Sequence, residues 1–179
     1  EAVDLRTGAT VALKLIRQNG IRELDGLQRY RNARELRSCP HLAQIYDAGE
    51  TPDGFYYTME LADNLESTGI TERYAPDTLA ARIAAAGRLR RDEIVWYLFR
   101  LLDGVEALHR AGLAHSDIKP SNIIFIGGEP RLADIGLMTP AQSGNSGGTP
   151  GYTHPAAADR ECPASARSGD YYALGMVVL

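Results

Sequence analysis

His115-Ser116-Asp117-Ile118-Lys119-Pro120-Ser121-Asn122 decides how the rest of this 179-residue chain is read. It is a short polar loop that follows a helix-period run. A carboxylate and a carboxamide stand five residues apart in it, with a cation between them. Twelve residues beyond Asn122, across a short hairpin, comes Leu132-Ala133-Asp134-Ile135-Gly136. Far upstream lies Val11-Ala12-Leu13-Lys14. Of the 19 basic residues, only Lys14 and Lys119 are lysine, and the remainder are arginine. A biased codon pool explains an arginine excess but not where the two lysines fall. Lysine is a compact point charge suited to gripping a phosphate oxygen.

Outward from that loop, the periodicities describe two unlike parts. Val11–Ile16 reads as a strand, with Ala12 and Lys14 on one face and Val11, Leu13 and Leu15 on the other. Glu1–Leu5 is expected as an earlier strand of the same hairpin. Residues 21–37 carry apolar side chains at helical spacing, weakened by Gly26. His41–Ala48 and Gly54–Leu61 read as two further strands joined by a Thr-Pro-Asp-Gly turn. After an irregular stretch over Leu65–Pro76, Asp77 is expected to cap a short helix running to Gly87. Asp92 is expected to cap a long one from Ile94 to Leu108, closed by Gly112. Asn122–Ile126 and Arg131–Asp134 form a hairpin about Gly127-Gly128. Residues 139–153 read as a mobile surface segment, and Tyr171–Leu179 as the start of an uncapped helix. The expectation is an α+β chain with a small antiparallel-sheet lobe over residues 1–61 and a mainly helical lobe over 62–179. The two join near Glu60–Asn64, and the crevice between them is the expected ligand site.

Composition narrows the function. Net charge is −4 with dispersed arginines, unlike the basic, aromatic-interleaved platform that nucleic acid requires. No run is long and apolar enough to span a bilayer, and the N-terminus lacks a signal-peptide pattern. Cys39 and Cys162 match no metal-ligand spacing and read as free thiols of a reducing compartment, so a cytoplasmic location is expected. His41, His109, His115 and His154 include no pair at zinc spacing.

In order and spacing, the three pieces match the protein kinase signature set. The whole chain resembles the bacterial serine/threonine protein kinases of the eukaryotic-like type. Arg22–Tyr30, Phe55–Asp63 and Lys119–Phe125 are similar to a planctomycete-type branch, in which Ile-Gly often follows the magnesium-binding aspartate. The resemblance implies a bilobal fold, ATP and magnesium as cofactors, and transfer of the γ-phosphoryl group to a protein hydroxyl. It implies that Asp117 orients the incoming hydroxyl, Lys119 neutralises the transferring group, and Asn122 and Asp134 hold magnesium. Lys14 then grips the phosphates. Ala12 and Ile124 sandwich the adenine, Met59 stands behind it, and the backbone of Glu60, Leu61 and Ala62 bonds to it. His115, Ile135 and Leu27 stack in a regulatory column. Thr149, in Gly148-Thr149-Pro150-Gly151-Tyr152, bonds to Asp117 and Lys119, and Asp170 anchors the catalytic loop from below.

The chain also departs from the family pattern. The glycine-rich phosphate loop and the last helices are missing, so the domain is expected to be truncated at both ends and inactive by itself. The glutamate that pairs with Lys14 is Glu23, or alternatively Glu35. A connecting segment is absent near Asn19-Gly20, and Ala156 stands where a glutamate is usual. Ser116 occupies the position where many kinases place an arginine that reads a phosphate on the activation segment. Phosphorylation of Thr139, Ser143 or Ser146 is therefore not expected to be a strict on-switch, unless Arg131 reads the phosphate instead. Competing readings are a pseudokinase or scaffold and a small-molecule phosphotransferase of related fold. Expected partners are a protein substrate, with autophosphorylation or a homodimer open.

Overall fold

The computed structural model describes residues 1–17, 21–65, 74–134, 138–144, 148–158 and 164–179, with the backbone alone for 21–23. The first part is a four-stranded antiparallel sheet in the order β1-β2-β4-β3. Its strands are β1 (Ala2–Val3), β2 (Thr10–Arg17), β3 (Ile45–Thr51) and β4 (Gly54–Met59), and helix α1 (Ile21–Asn32) lies between β2 and β3 in the chain. Ala12 stands opposite Met59, and Lys14 opposite Tyr57. Directly opposed residues of an antiparallel pair share a face. Ala12, Lys14, Tyr57 and Met59 therefore line one side of the sheet, while Leu13 and Leu15 point outward.

The second part is mainly helical: α2 (Leu79–Ala86), α3 (Arg91–Arg110) and α4 (Ala166–Val177). Short strands thread between the helices: β5 (Leu113–Ala114), β6 (Ile123–Ile126), β7 (Glu129–Leu132) and β8 (Thr139–Pro140). β6 pairs with β7 across Gly127 and Gly128, whose φ values of 61° and 78° are those a two-residue hairpin turn demands. β8 pairs with β5. Leu101, Val105 and Leu108 of α3 are fully buried against Ile118, Phe125, Leu132 and Leu174. The same core reaches Leu27, Tyr30, Leu36 and Tyr57, so one body of apolar packing holds both parts.

Several elements differ from the sequence expectation, each for a local reason. The strand expected over His41–Ala48 starts only at Ile45, because the preceding backbone is bonded elsewhere. Leu132 N–H donates to the His41 carbonyl, and Ala43 N–H to the Leu132 carbonyl, both at 2.9 Å. The strand expected to reach Leu61 ends at Met59, where the Glu60 N–H bonds to the Gln44 carbonyl at 3.0 Å and the chain leaves the sheet. The helix expected over 21–37 stops at Asn32, and a 3-10 turn over Arg34–Ser38 seats Leu36 in the core. The strand expected over Glu1–Leu5 shrinks to Ala2–Val3, because Gly8 N–H folds back to the Asp4 carbonyl at 2.7 Å.

Neither expected aspartate cap is used. Thr78 caps α2, accepting the Ala81 N–H at 3.1 Å, while Asp77 is held by Arg82 Nε and Nη2 at 2.8 and 2.7 Å. Arg90 caps α3, its N–H bonding to the Glu93 carboxylate at 3.0 Å, so Asp92 falls inside the first turn. The stretch read as a mobile surface segment begins with β8 and the buried Ala141. Cys39 is a free thiol that burial pushes above its usual pKa, and Cys162 lies outside the described residues. No helix among the described residues is long and apolar enough to cross a membrane.

Helix α3 lies so close to residue 41 that a Cβ on Gly104 would sit 2.9 Å from the His41 carbonyl oxygen. A Cβ on Gly175 in α4 would meet nothing within 4 Å. Glycine to alanine in a helix ordinarily gains about 1 kcal/mol. Gly175→Ala should therefore raise Tm by about 2–4 °C. Gly104→Ala should lower it, since the clash falls on backbone and overrides the propensity gain. Thermal melts of the two variants side by side test this; equal stabilisation by both would refute the close approach.

Candidate active site

The loop over residues 115–122 leaves β5 and is held from beneath by one carboxylate. Asp170, in the second turn of α4, is 1% exposed. Its Oδ2 accepts the His115 N–H and its Oδ1 the Ser116 N–H, both at 2.8 Å. His109 Nε2, at the end of α3, lies 2.9 Å from the same Oδ2. A buried carboxylate is tolerated only when its lone pairs are satisfied in this way. His115 then carries the geometry onward. Its Nε2 lies 2.9 Å from the Ala133 carbonyl, and its Nδ1 lies 3.3 Å from the Asp117 N–H. A carbonyl can only accept and an amide only donate, so the proton sits on Nε2. The imidazole thereby ties Asp117 to the residue before Asp134.

Asp117, Lys119 and Thr149 close a ring of polar contacts. Thr149 Oγ1 donates to Asp117 Oδ1 at 2.7 Å, and Lys119 Nζ donates to Thr149 Oγ1 at 2.8 Å. Lys119 Nζ also lies 2.8 Å from Asp117 Oδ2. Asn122 Nδ2 donates at 2.9 Å to both Oδ2 and the backbone carbonyl of Asp117. Burial pushes the Asp117 carboxyl up, but the bonds from Lys119 and Thr149, the Lys119 charge and the Asn122 amide outweigh it. The group is held below the usual carboxylate range. A carboxyl lowered on folding contributes stability above its unfolded pKa and loses it as pH falls through the folded one.

Above the loop, Lys14 forms an ion pair with Asp134 and lies 5.9 Å from the centroid of the Tyr57 ring. The Tyr57 hydroxyl lies 3.4 Å from Asp134 Oδ1. Asp134 has φ +60° and Ser116 φ +68°; these two are the non-glycine residues in that strained region among the described ones. Asp134 and Asn122 are joined through the backbone, since Ala133 N–H donates to the Asn122 carbonyl at 2.8 Å. Among the described residues, no group of three or more His, Cys, Asp or Glu could hold a metal by itself. The site instead offers the Asp134 carboxylate and Asn122 Oδ1, the Asn122 nitrogen being committed to Asp117. So sparse a set of oxygen donors fits magnesium, which completes its shell with phosphate oxygens and water.

Met59, Ala62 and Ile124 come together in one small apolar cluster with Ala43 and Ala133. Ala12 stands across from Met59. The joining segment beside them is tethered tightly. Arg131 Nη1 donates to both Glu60 oxygens at 2.7 Å, and the Asp63 carboxylate accepts the Gly127 and Gly128 N–H groups at 2.9 Å. Arg131 is thus engaged at the joining segment, on Glu60. Glu23 lies on α1 with its side chain outside the described residues, and Glu35 is exposed on the 3-10 turn. Ile135, Gly136 and Ser146 also lie outside the described residues. Sequence reasoning did not single out Tyr57, His109 or the Glu60–Arg131 pair. Alternation back from Met59 could have placed Tyr57 on the site face, but no pattern marks the other three.

Comparison with known proteins agrees with this geometry. The family profile described as the protein kinase domain matches residues 1–179. The chain is 30% identical to the probable serine/threonine-protein kinase pknA2 of Bifidobacterium longum, over 99% of its own length and 23% of that protein. It is 31% identical to CBL-interacting protein kinase 24 of Oryza sativa, over 86% of its length and 33% of the relative. It is 28% identical to the human hormonally up-regulated neu tumor-associated kinase, over 93% and 21% respectively. The chain therefore spans about a fifth to a third of these curated relatives. By sequence, fold and loop geometry, the chain belongs to the protein kinase domain family.

Proposed function

We propose that this domain is the catalytic unit of a serine/threonine protein kinase, with residues 1–61 and 62–179 as its two lobes. The observation that carries the reading is the closed Asp117–Thr149–Lys119 ring, which holds an ionised carboxylate beside a cation. Asp117 accepts the proton of the substrate hydroxyl as its oxygen bonds to the γ-phosphorus and the bond to the leaving diphosphate breaks. Lys119 offsets the negative charge on the group in transfer, and Thr149 keeps both side chains in register. Asn122 Oδ1 and the Asp134 carboxylate would hold magnesium, which would supply positive charge against the phosphates. Lys14 exchanges Asp134 for phosphate oxygens, with Glu23 as its protein partner; exposed Glu35 is the poorer choice. Ala12, Ile124 and Met59 enclose the adenine beside the backbone of Glu60, Leu61 and Ala62.

The substrate is a protein hydroxyl, and a second copy of the chain is the natural first acceptor to assay. A cytoplasmic location, where ATP is supplied, accords with this reading. The planctomycete-type assignment rests on Arg22–Tyr30, Phe55–Asp63 and Lys119–Phe125, and a phylogeny built on those segments tests it.

In the full-length protein, Asp117→Asn should lower kcat by about 10²–10⁴-fold, with nucleotide affinity nearly unchanged, as for a group used in the transition state. Undiminished transfer would overturn the mechanism. The low Asp117 pKa gives a second test. Removing the ammonium with Lys119→Met should raise the Asp117 pKa, since the Lys119 bond and charge help hold it down. The acid limb of kcat/KM then moves to higher pH. A carbon-NMR titration of the Asp117 carboxyl reads the same shift where turnover is weak, and an unmoved titration would exclude Lys119 as the cause.

A further inference from the structure

We propose that Ser116 and Thr139 form a neutral hydroxyl latch that positions the catalytic loop against the segment following Asp134 without any phosphate. The proposal deepens the kinase reading and rests on it. Ser116 Oγ and Thr139 Oγ1 are 2.8 Å apart and partly buried. Each hydroxyl can donate one bond and accept others, so the pair satisfies itself with no outside charge.

The latch sits where the local backbone needs help. β5 and β8 are two residues each, paired Leu113 with Pro140 and Ala114 with Thr139, and followed by one bond from Ala141 N–H to the Gly112 carbonyl at 2.9 Å. So short a ladder is marginal on its own. Ser116 is meanwhile fixed from below by Asp170 and held at φ +68°. At its far end the same segment returns to this residue, since a Cβ on Gly148 would lie 3.3 Å from the Ser116 carbonyl oxygen. Thr149 follows immediately and bonds to Asp117. The segment is thus pinned to the loop on both sides of Asp117, at Thr139 by the hydroxyl pair and at Thr149 by the catalytic ring. An arginine at 116 is suited to grip an added phosphate; the hydroxyl pair holds the segment in the unmodified chain.

Ser116 and Thr139 are positioning residues, and the test separates positioning from folding in the full-length protein. Thr139→Val keeps the shape and removes the hydroxyl. It should lower kcat roughly fivefold, the effect of one lost neutral hydrogen bond, with KM for nucleotide within about twofold. Thr139→Ser should restore the rate. Ser116→Gly, which suits a positive φ, should match Thr139→Val, and the double variant should be no worse than either single one. Hydrogen exchange gives a readout that does not need turnover. Thr139→Val should speed exchange of the Ala141 amide and leave those of Leu101 and Val105 in α3 unchanged. Wild-type kcat and exchange in Thr139→Val, additive losses in the double variant, or equal acceleration in α3 would each overturn the latch. If the wild-type protein transfers no phosphate at all, the kinase reading falls, and the exchange result still decides the latch.

Discussion

The arrangement of the site depends on the Asp170 carboxylate. It is almost wholly buried, and a charge taken from water without partners costs several kcal/mol. Here the cost is offset by two backbone N–H groups of the catalytic loop and by His109. The bonds work in both directions. The loop satisfies the carboxylate, and the carboxylate fixes Ser116 at a positive φ that side chains rarely adopt unaided. Asp117 follows directly, so its direction is set by a residue more than fifty positions further along the chain.

A second set of contacts sets the distance between the sheet and the helical part. Residues 41–43 bond to β7 rather than continuing the sheet, and Glu60 and Asp63 fasten the joining segment to Arg131 and to the β6–β7 turn. Arg82 adds to this from α2. It bonds twice to Asp77, donates to the Tyr97 hydroxyl at 2.9 Å and lies 3.3 Å from the centroid of the Phe125 ring. Lys14 and Asp134 come from opposite sides of the cleft, yet they meet as an ion pair. The same pair shows how the site answers to its ligand. In the proposed reading both groups turn to phosphate and metal; here each serves as the other's counter-ion.

The spacing of Asp117, Asn122 and Asp134 was readable directly because they lie on adjacent local elements, and the two lysines because the chain has only two. The β6–β7 hairpin was equally legible, since its two glycines are required by the turn. The Thr149 contact could be expected from family likeness but not from spacing, because a bond across 32 residues leaves no local pattern. Element ends were less legible. Asp77 and Asp92 both looked like caps, yet Arg82 captured the first and the second fell two residues past the cap. The late start of the strand expected from His41 came from competition by β7, a partner about ninety residues away.

The sequence by itself determined the class of fold, the two-part division and the short list of charged groups around the catalytic loop. It did so because alternation, helical spacing and turn glycines are local, and because a chain so poor in lysine marks the two it keeps. Only the tertiary structure decided which of those groups touch. Lys14 meeting Asp134, Arg131 serving Glu60, and Ser116 meeting Thr139 all depend on strand register and on how the two parts pack. Those are set by the shared core and by the buried charge of Asp170, neither of which any single stretch of sequence contains.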